Sequence, residues 1–211
     1  MENLTTLFKL LECTRLQPQY GYALAGVSKA EMSDLAQHHY LVGIIALLLG
    51  KFLNSRGAKL DIQKILEIAL THDLGELLGG DINFYYSRSN LEARKKAKEF
   101  EAENIKYLSG HFGQYGKELE ANTRSFEDKD SDEAIVAQCA DKIECVHYKL
   151  QVGKIGKMDV QSTKISVLNY AKKLTDKNLA KELEKFINLW EREMPGKSIL
   201  DIMASEVEEY N

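Results

Sequence analysis

At 211 residues the chain is long enough for one well-packed domain and hardly for two. Its 44% hydrophobic content is ordinary for a globular protein and its two prolines permit long helices. A formal net charge of −4 speaks against a surface built to bind nucleic-acid polymers or anionic membranes. The three cysteines, Cys13, Cys139 and Cys145, are odd in number and have no CxxC spacing. No disulfide framework or zinc knuckle is expected, and a reducing, cytoplasmic setting is. Met1 to Leu11 includes acidic Glu2 and lacks the basic start and long apolar core of a signal sequence. The longest apolar run, Leu41 to Leu49, is about half of the roughly 20 residues a membrane span requires, so it reads as a core helix.

In chain order, Leu4, Leu7, Phe8 and Leu11 predict a short amphipathic helix. Residues 14–30, punctuated by Pro18, Gly21 and Gly26, read as an irregular loop with aromatic bulk from Tyr20 and Tyr22. Ser28 with Glu31, or Asp34 with Gln37, is a capping pair for the next helix. That helix is expected to run to about Gly50, with His38, Leu41, Val42, Ile45 and Leu48 on one stripe. After a turn at 54–59, Asp61 is the N-cap of a helix expected to end near Leu78, stopped by Gly79 and Gly80. A charged helix follows over 90–108, then a partly helical, exposed connection over 109–130. Ser131 or Asp130 caps a helix that aligns Ala134, Ala137, Asp141, Cys145 and Tyr148. Helices near 160–174 and around Leu179, Leu183, Phe186, Ile187 and Trp190 come next; Pro195-Gly196 ends the latter, and 198–208 can form a last short helix. No segment alternates as a strand would. The expected fold is all-α: one domain over 1–211, with a chemistry-bearing core at about 28–150 and C-terminal helices 158–208 packed on it.

Chemistry concentrates in Leu70 to Asp81, where one imidazole and three carboxylates fall within ten residues. Ile65, Ala69 and His72 share a helical stripe, and Glu76 is four beyond His72 and three beyond Asp73. Acceptors this dense on an apolar helix are costly unless a cation or a reacting group uses them. His38 and Asp141 also sit within apolar stripes, and an inward Asp141 must be paired, hydrogen-bonded or bound to metal. Two imidazoles and two carboxylates suit a divalent first-row ion with positions left open for water. His39 stands about 100° round the helix from His38 and competes for the ligand role. His111 and His147 lack an acidic partner at helical spacing and read as structural or surface residues. Taken singly, each of these residues also fits a satisfied core or surface position; their coincidence points to a site.

The string His72-Asp73-Leu74-Gly75-Glu76 followed by Gly80-Asp81 resembles the His-Asp-Leu-x-Glu-x-x-x-Gly-Asp signature of the YfbR-like and HDDC2-like 5′-deoxynucleotidases. These belong to the HD superfamily of metal-dependent phosphohydrolases. Gln37-His38-His39-Tyr40 is similar to the group's acid-His-x-Tyr, with Gln37 in place of the acid, and favours His38 as ligand. Asp141-Lys142-Ile143-Glu144 is similar to its Asp-Lys-Leu-Glu. The likeness spans roughly residues 5–150.

The resemblance implies a helical bundle holding one divalent ion (Mn, Co, Zn, Fe, Ni or Mg) through His38, His72, Asp73 and Asp141. Glu76 and Asp81 are then the acid/base and water-positioning carboxylates, in an order that sequence does not set. Arg15 becomes the residue gripping phosphate, and Tyr20 or Tyr22 one that stacks on the base. The implied reaction is removal of the 5′-phosphate of a (deoxy)nucleoside monophosphate by a metal-activated water. The closest competing enzyme is a compact nucleoside triphosphate phosphohydrolase. From another class, the alternative is a non-catalytic helical scaffold that keeps a metal or nucleotide site. The implied partner is a small-molecule nucleotide, with no nucleic-acid polymer and no membrane. A homodimer is expected, and the apolar stripe around Trp190 offers either a subunit contact or closure of the core.

Overall fold

The computed structural model describes residues 2–194 and Met203, and among them every regular element is helical. They are α1 (Glu2–Leu11), α2 (Leu35–Ser55), α3 (Ile62–Thr71), α4 (Phe84–Ser89), α5 (Leu91–Ser109), α6 (Gly116–Asp128), α7 (Asp132–Gln151), α8 (Lys157–Ala171) and α9 (Lys177–Glu193). Side-chain caps open the longer ones. Asp34 accepts from the Gln37 amide at 2.8 Å, Asp61 from Lys64 at 3.1 Å, Asn90 from Ala93 at 3.0 Å and Ser131 from Ala134 at 3.1 Å. Each satisfies an amide that the helix itself leaves without a partner. Ser28 bonds Glu31 at 2.5 Å, but in the loop, so Asp34 is the residue that opens α2.

α2, α3 and α7 pack on one another and form the centre of the bundle. Val42, Ala46, Leu49 and Leu53 of α2 meet Ile65, Ile68 and Ala69 of α3 and Ile135, Val136, Cys139 and Ile143 of α7. α8 and α9 close the same core with Val167, Leu183 and Ile187. Burying a side chain of this size contributes about 1.5–3 kcal/mol. A smaller cluster of Leu74, Leu77, Ile105, Leu108 and Leu119 clamps the segment after α3 against α5 and α6.

Several expectations change. α2 runs five residues past Gly50, to Ser55. Its buried stripe is Leu35, His38, Val42, Ala46, Leu49 and Leu53, whereas Leu41 and Leu48 are exposed. The helix is apolar nearly all round, so hydrophobicity could not tell its inner face from its outer one. Two stretches of 3₁₀ helix, Glu12–Arg15 and Tyr20–Ala25, shape the segment expected as a loop over 14–30, the first overlapping its start. α3 ends at Thr71, seven residues before Leu78, and a 3₁₀ turn, Leu74–Glu76, follows. The 109–130 connection holds a full helix, α6, which buries Leu119, Thr123 and Phe126 under a charged surface. The stripe ending at Trp190 faces inward, and the Trp190 indole donates to His147 Nε2 at 3.0 Å; it closes the core. Pro195-Gly196 and all but one residue of the expected helix over 198–208 lie outside the described residues.

Candidate metal centre

Three helices aim their donors at one buried point. His38 comes from the second turn of α2, His72 caps the C-terminus of α3, Asp73 follows it, and Asp141 lies in the middle of α7. The Nε2 atoms of His38 and His72 are 3.3 Å apart. Asp73 Oδ2 is 3.0 Å from His72 Nε2 and 3.4 Å from His38 Nε2, and Asp141 Oδ1 is 3.5 Å from His38 Nε2. The four ligands expected from the sequence are therefore brought together. α3 stops where it must: the backbone leaves helical geometry at Asp73 (φ −103°, ψ 15°), which turns that carboxylate toward His38.

Both imidazoles are oriented from behind. His38 Nδ1 donates to Glu144 Oε2 at 2.7 Å, and His72 Nδ1 donates to the Ala69 carbonyl at 2.8 Å. With each Nδ1 carrying the hydrogen, the neutral rings turn both Nε2 lone pairs inward. The Phe126 ring packs on His72, centroids 4.5 Å apart. Two imidazole nitrogens and two carboxylates converging in a buried space need a shared positive charge between them, either a proton or a metal ion. This nitrogen and oxygen set fits a divalent first-row ion.

Electrostatics agree with a site suited to positive charge. Burial works against the His38 imidazolium, but hydrogen bonds to Asp73 and Glu144 outweigh it and push the ring up to about 10. Burial also opposes the Asp73 carboxylate, yet His72 and the bonds from His38 and His72 hold it well below its ordinary range. Asp141 is likewise held down against burial by Lys142, His72 and His38; Lys142 Nζ donates to its Oδ2 at 2.8 Å.

Glu76 and Asp81 form the outer edge with Glu101 of α5, which was not foreseen; one oxygen from each lies within 4.8 Å of the others. Burial first, then Asp73, Asp81 and Glu101, raise Glu76 well above a normal carboxylate. Asp81 is pushed up to about 7 by burial, Asp73 and Glu101, although it lies at the solvent edge, where water screens part of that effect. The turn carrying Glu76 can press on α5 because residue 75 is glycine: a Cβ there would stand 3.0 Å from the Glu101 carbonyl oxygen. The Asn104 side chain donates to the Gly75 carbonyl at 2.7 Å and pins the turn. Gly80, with φ +78°, then reverses the chain into Asp81.

Of the two substrate residues expected from the sequence, one is exposed and the other buried. Arg15 pairs with Glu12 at 3.1 Å on the surface, its side chain 71% exposed. Tyr22 is buried rather than open to a base, its ring 4.5 Å from that of Tyr148. Glu144 and Lys142 are the site residues that the sequence reading left without a role. Glu144 had a visible signal, since it stands three beyond Asp141 on the same helix and therefore on the same face.

The family model described as HD domain matches residues 21–187. The chain therefore belongs to the HD-domain family, the class of metal-dependent phosphohydrolases that its sequence motifs resemble. Arg15 lies outside the matched segment and the four candidate ligands lie inside it. Among characterised relatives, the chain is 28% identical over 148 residues to the 5′-deoxynucleotidase HDDC2 of Dictyostelium discoideum, covering 69% of this chain and 75% of that protein. Two solved structures share the fold. An HD-domain phosphohydrolase from Listeria innocua superposes with a TM-score of 0.67 at 20% identity, over 99% of both chains. The PH0347 protein of Pyrococcus horikoshii OT3 does so with 0.66 at 24% identity, over 89% of this chain and 98% of that one.

Proposed function

We propose that this protein is a metal-dependent phosphomonoesterase that removes the 5′-phosphate from deoxynucleoside monophosphates in the cytoplasm. The observation that carries the reading is the convergence of His38, His72, Asp73 and Asp141, with both outer imidazole nitrogens already engaged by Glu144 and Ala69. The likeness to a 5′-deoxynucleotidase supports the choice of substrate class.

His38, His72, Asp73 and Asp141 would hold one divalent ion. When bound, such an ion lowers the pKa of a water and neutralises phosphoryl oxygens. Glu76, raised in pKa and crowded by Asp73, takes the proton of the attacking water. Asp81, at the solvent edge and titrating near neutrality, delivers a proton to the departing ribose oxygen and refills from bulk water. Lys142, held against a ligand carboxylate, supplies the cation for the phosphate oxygens. Arg15 would have to leave Glu12 to share that task. Tyr22, buried near Glu144 and Asp141, supports the α7 side of the site rather than stacking on a base.

Phosphate release from 5′-mono-, di- and triphosphates, using chelator-stripped protein refilled with Mn²⁺, Co²⁺, Ni²⁺, Zn²⁺ or Mg²⁺, tests the reading. Release from deoxynucleoside monophosphates that needs the ion and disappears in Asp141→Ala is expected. Activity confined to triphosphates would replace the substrate class, and silence with every ion and nucleotide would leave a binding scaffold.

A further inference from the structure

His39 has no part in the chemistry above, yet it is 6% exposed and shares the inner side of α2 with His38. The ring nitrogens of His38 and His72 are engaged by Glu144, by the Ala69 carbonyl and by each other, whereas His39 Nε2 is buried with no hydrogen-bond partner. A buried acceptor or donor left unpaired is costly, so an orphan at this place calls for an explanation. His39 presents a ring nitrogen within 4.8 Å of donor atoms of both His72 and Asp73. Its ring centroid is 5.1 Å from that of His72 and 6.0 Å from that of His38.

We propose that His39 is a third imidazole ligand of the metal centre, joining the ion from the side of His72 and Asp73. The inference rests on the metal centre assigned above and goes beyond its four ligands. The donor set becomes three nitrogens and two carboxylates, which discriminates among ions. Imidazole favours Co²⁺, Ni²⁺ and Zn²⁺, whereas Mg²⁺ and Mn²⁺ are suited by oxygen. The adjacent histidines of Gln37-His38-His39-Tyr40 would then both be ligands, instead of rivals for one position.

The test is a zinc titration of the full-length, ¹⁵N-labelled protein, following all five imidazoles by long-range ¹H–¹⁵N correlation and assigning them with single-histidine variants. His38, His39 and His72 are expected to shift together and saturate at one equivalent, with His111 and His147 unmoved. Movement of His38 and His72 alone would overturn the role of His39 while leaving the metal centre standing. If none of the three moves, the metal centre itself fails. In His39→Phe, checked for folding by circular dichroism, affinity for Ni²⁺ and Zn²⁺ should fall at least about tenfold, with Mn²⁺ within about threefold. Equal losses for all three ions would count against the proposal; if the variant does not fold, the wild-type titration decides.

Discussion

Glu144 shows how much of this site depends on one carboxylate that touches no reacting atom. It is 1% exposed and its bond to His38 Nδ1 sets which nitrogen of that ring faces the ligands. A glutamine in its place would keep the size but not the charge, so Glu144→Gln should weaken metal binding by about 10- to 100-fold, measured by competition with a chromogenic chelator. Far-ultraviolet circular dichroism should be unchanged; an unchanged metal affinity would remove Glu144 from the site. Glu76→Gln should leave the ion bound but lower kcat by about 10²- to 10⁴-fold, the range of a lost general base. A variant with unaltered turnover would mean that the water is deprotonated elsewhere. Within Gln37-His38-His39-Tyr40 and the His-Asp string, the residue types at these positions were legible from sequence alone. The bond that orients His38 was not, because it joins α2 to α7 across 106 residues.

At the scale of elements, α6 is the helix that sequence patterning concealed. Its exposed side is charged, and Gly110 and Gly113 just ahead of it, with Gly116 at its start, read as loop. Yet Phe126 is buried and lies against the His72 ring. Phe126→Ala should destabilise the protein by about 3–5 kcal/mol and loosen His72, so that metal affinity falls together with the melting temperature. A stable variant with native affinity would show that α6 does not support the site. The end of α3 teaches the converse lesson. Helical spacing grouped His72, Asp73 and Glu76 correctly, but on the premise of a helix continuing to Leu78. In the fold they are grouped by a break after Thr71 and by the clamp of Leu74 and Leu77 against α5 and α6.

For the molecule as a whole, proton and metal binding compete, and the sign of the competition follows from the shifts. His38 is raised from 6.5 to about 10, so its proton stabilises the fold fully below pH 6.5, and that contribution is lost as pH rises through 10. Asp81, raised from 3.8 to about 7, acts in the same direction at lower pH, reduced by solvent screening. Asp73 and Asp141 are depressed, so their stabilisation is lost only on acidification below the ordinary carboxylate range. Metal-free protein should therefore melt several degrees lower at pH 9 than at pH 6. The rise in melting temperature on adding Zn²⁺ should grow with pH, because the ion replaces the His38 proton. Scanning calorimetry across this range checks both signs. The exposed side of α2 carries Leu41, Ile44 and Leu48, beside Leu70 of α3. α2 is long and apolar enough by composition to cross a membrane, but its inner side carries His38 and His39 in the core.

Local chemistry sufficed to determine the helical class, the cap at Asp61 and the four candidate ligands, and it narrowed two further caps to the pairs that include Asp34 and Ser131. Periodicity, capping and metal-donor preference are properties of residues and short spacings. Only the tertiary structure decided which side of α2 is inside, that Trp190 closes the core, and that Glu144 orients His38. It also placed Lys142 against the Asp141 carboxylate and paired Arg15 with Glu12. Those outcomes depend on which helix packs against which. That choice is made by burying apolar surface over the whole chain, and no short stretch of sequence contains it.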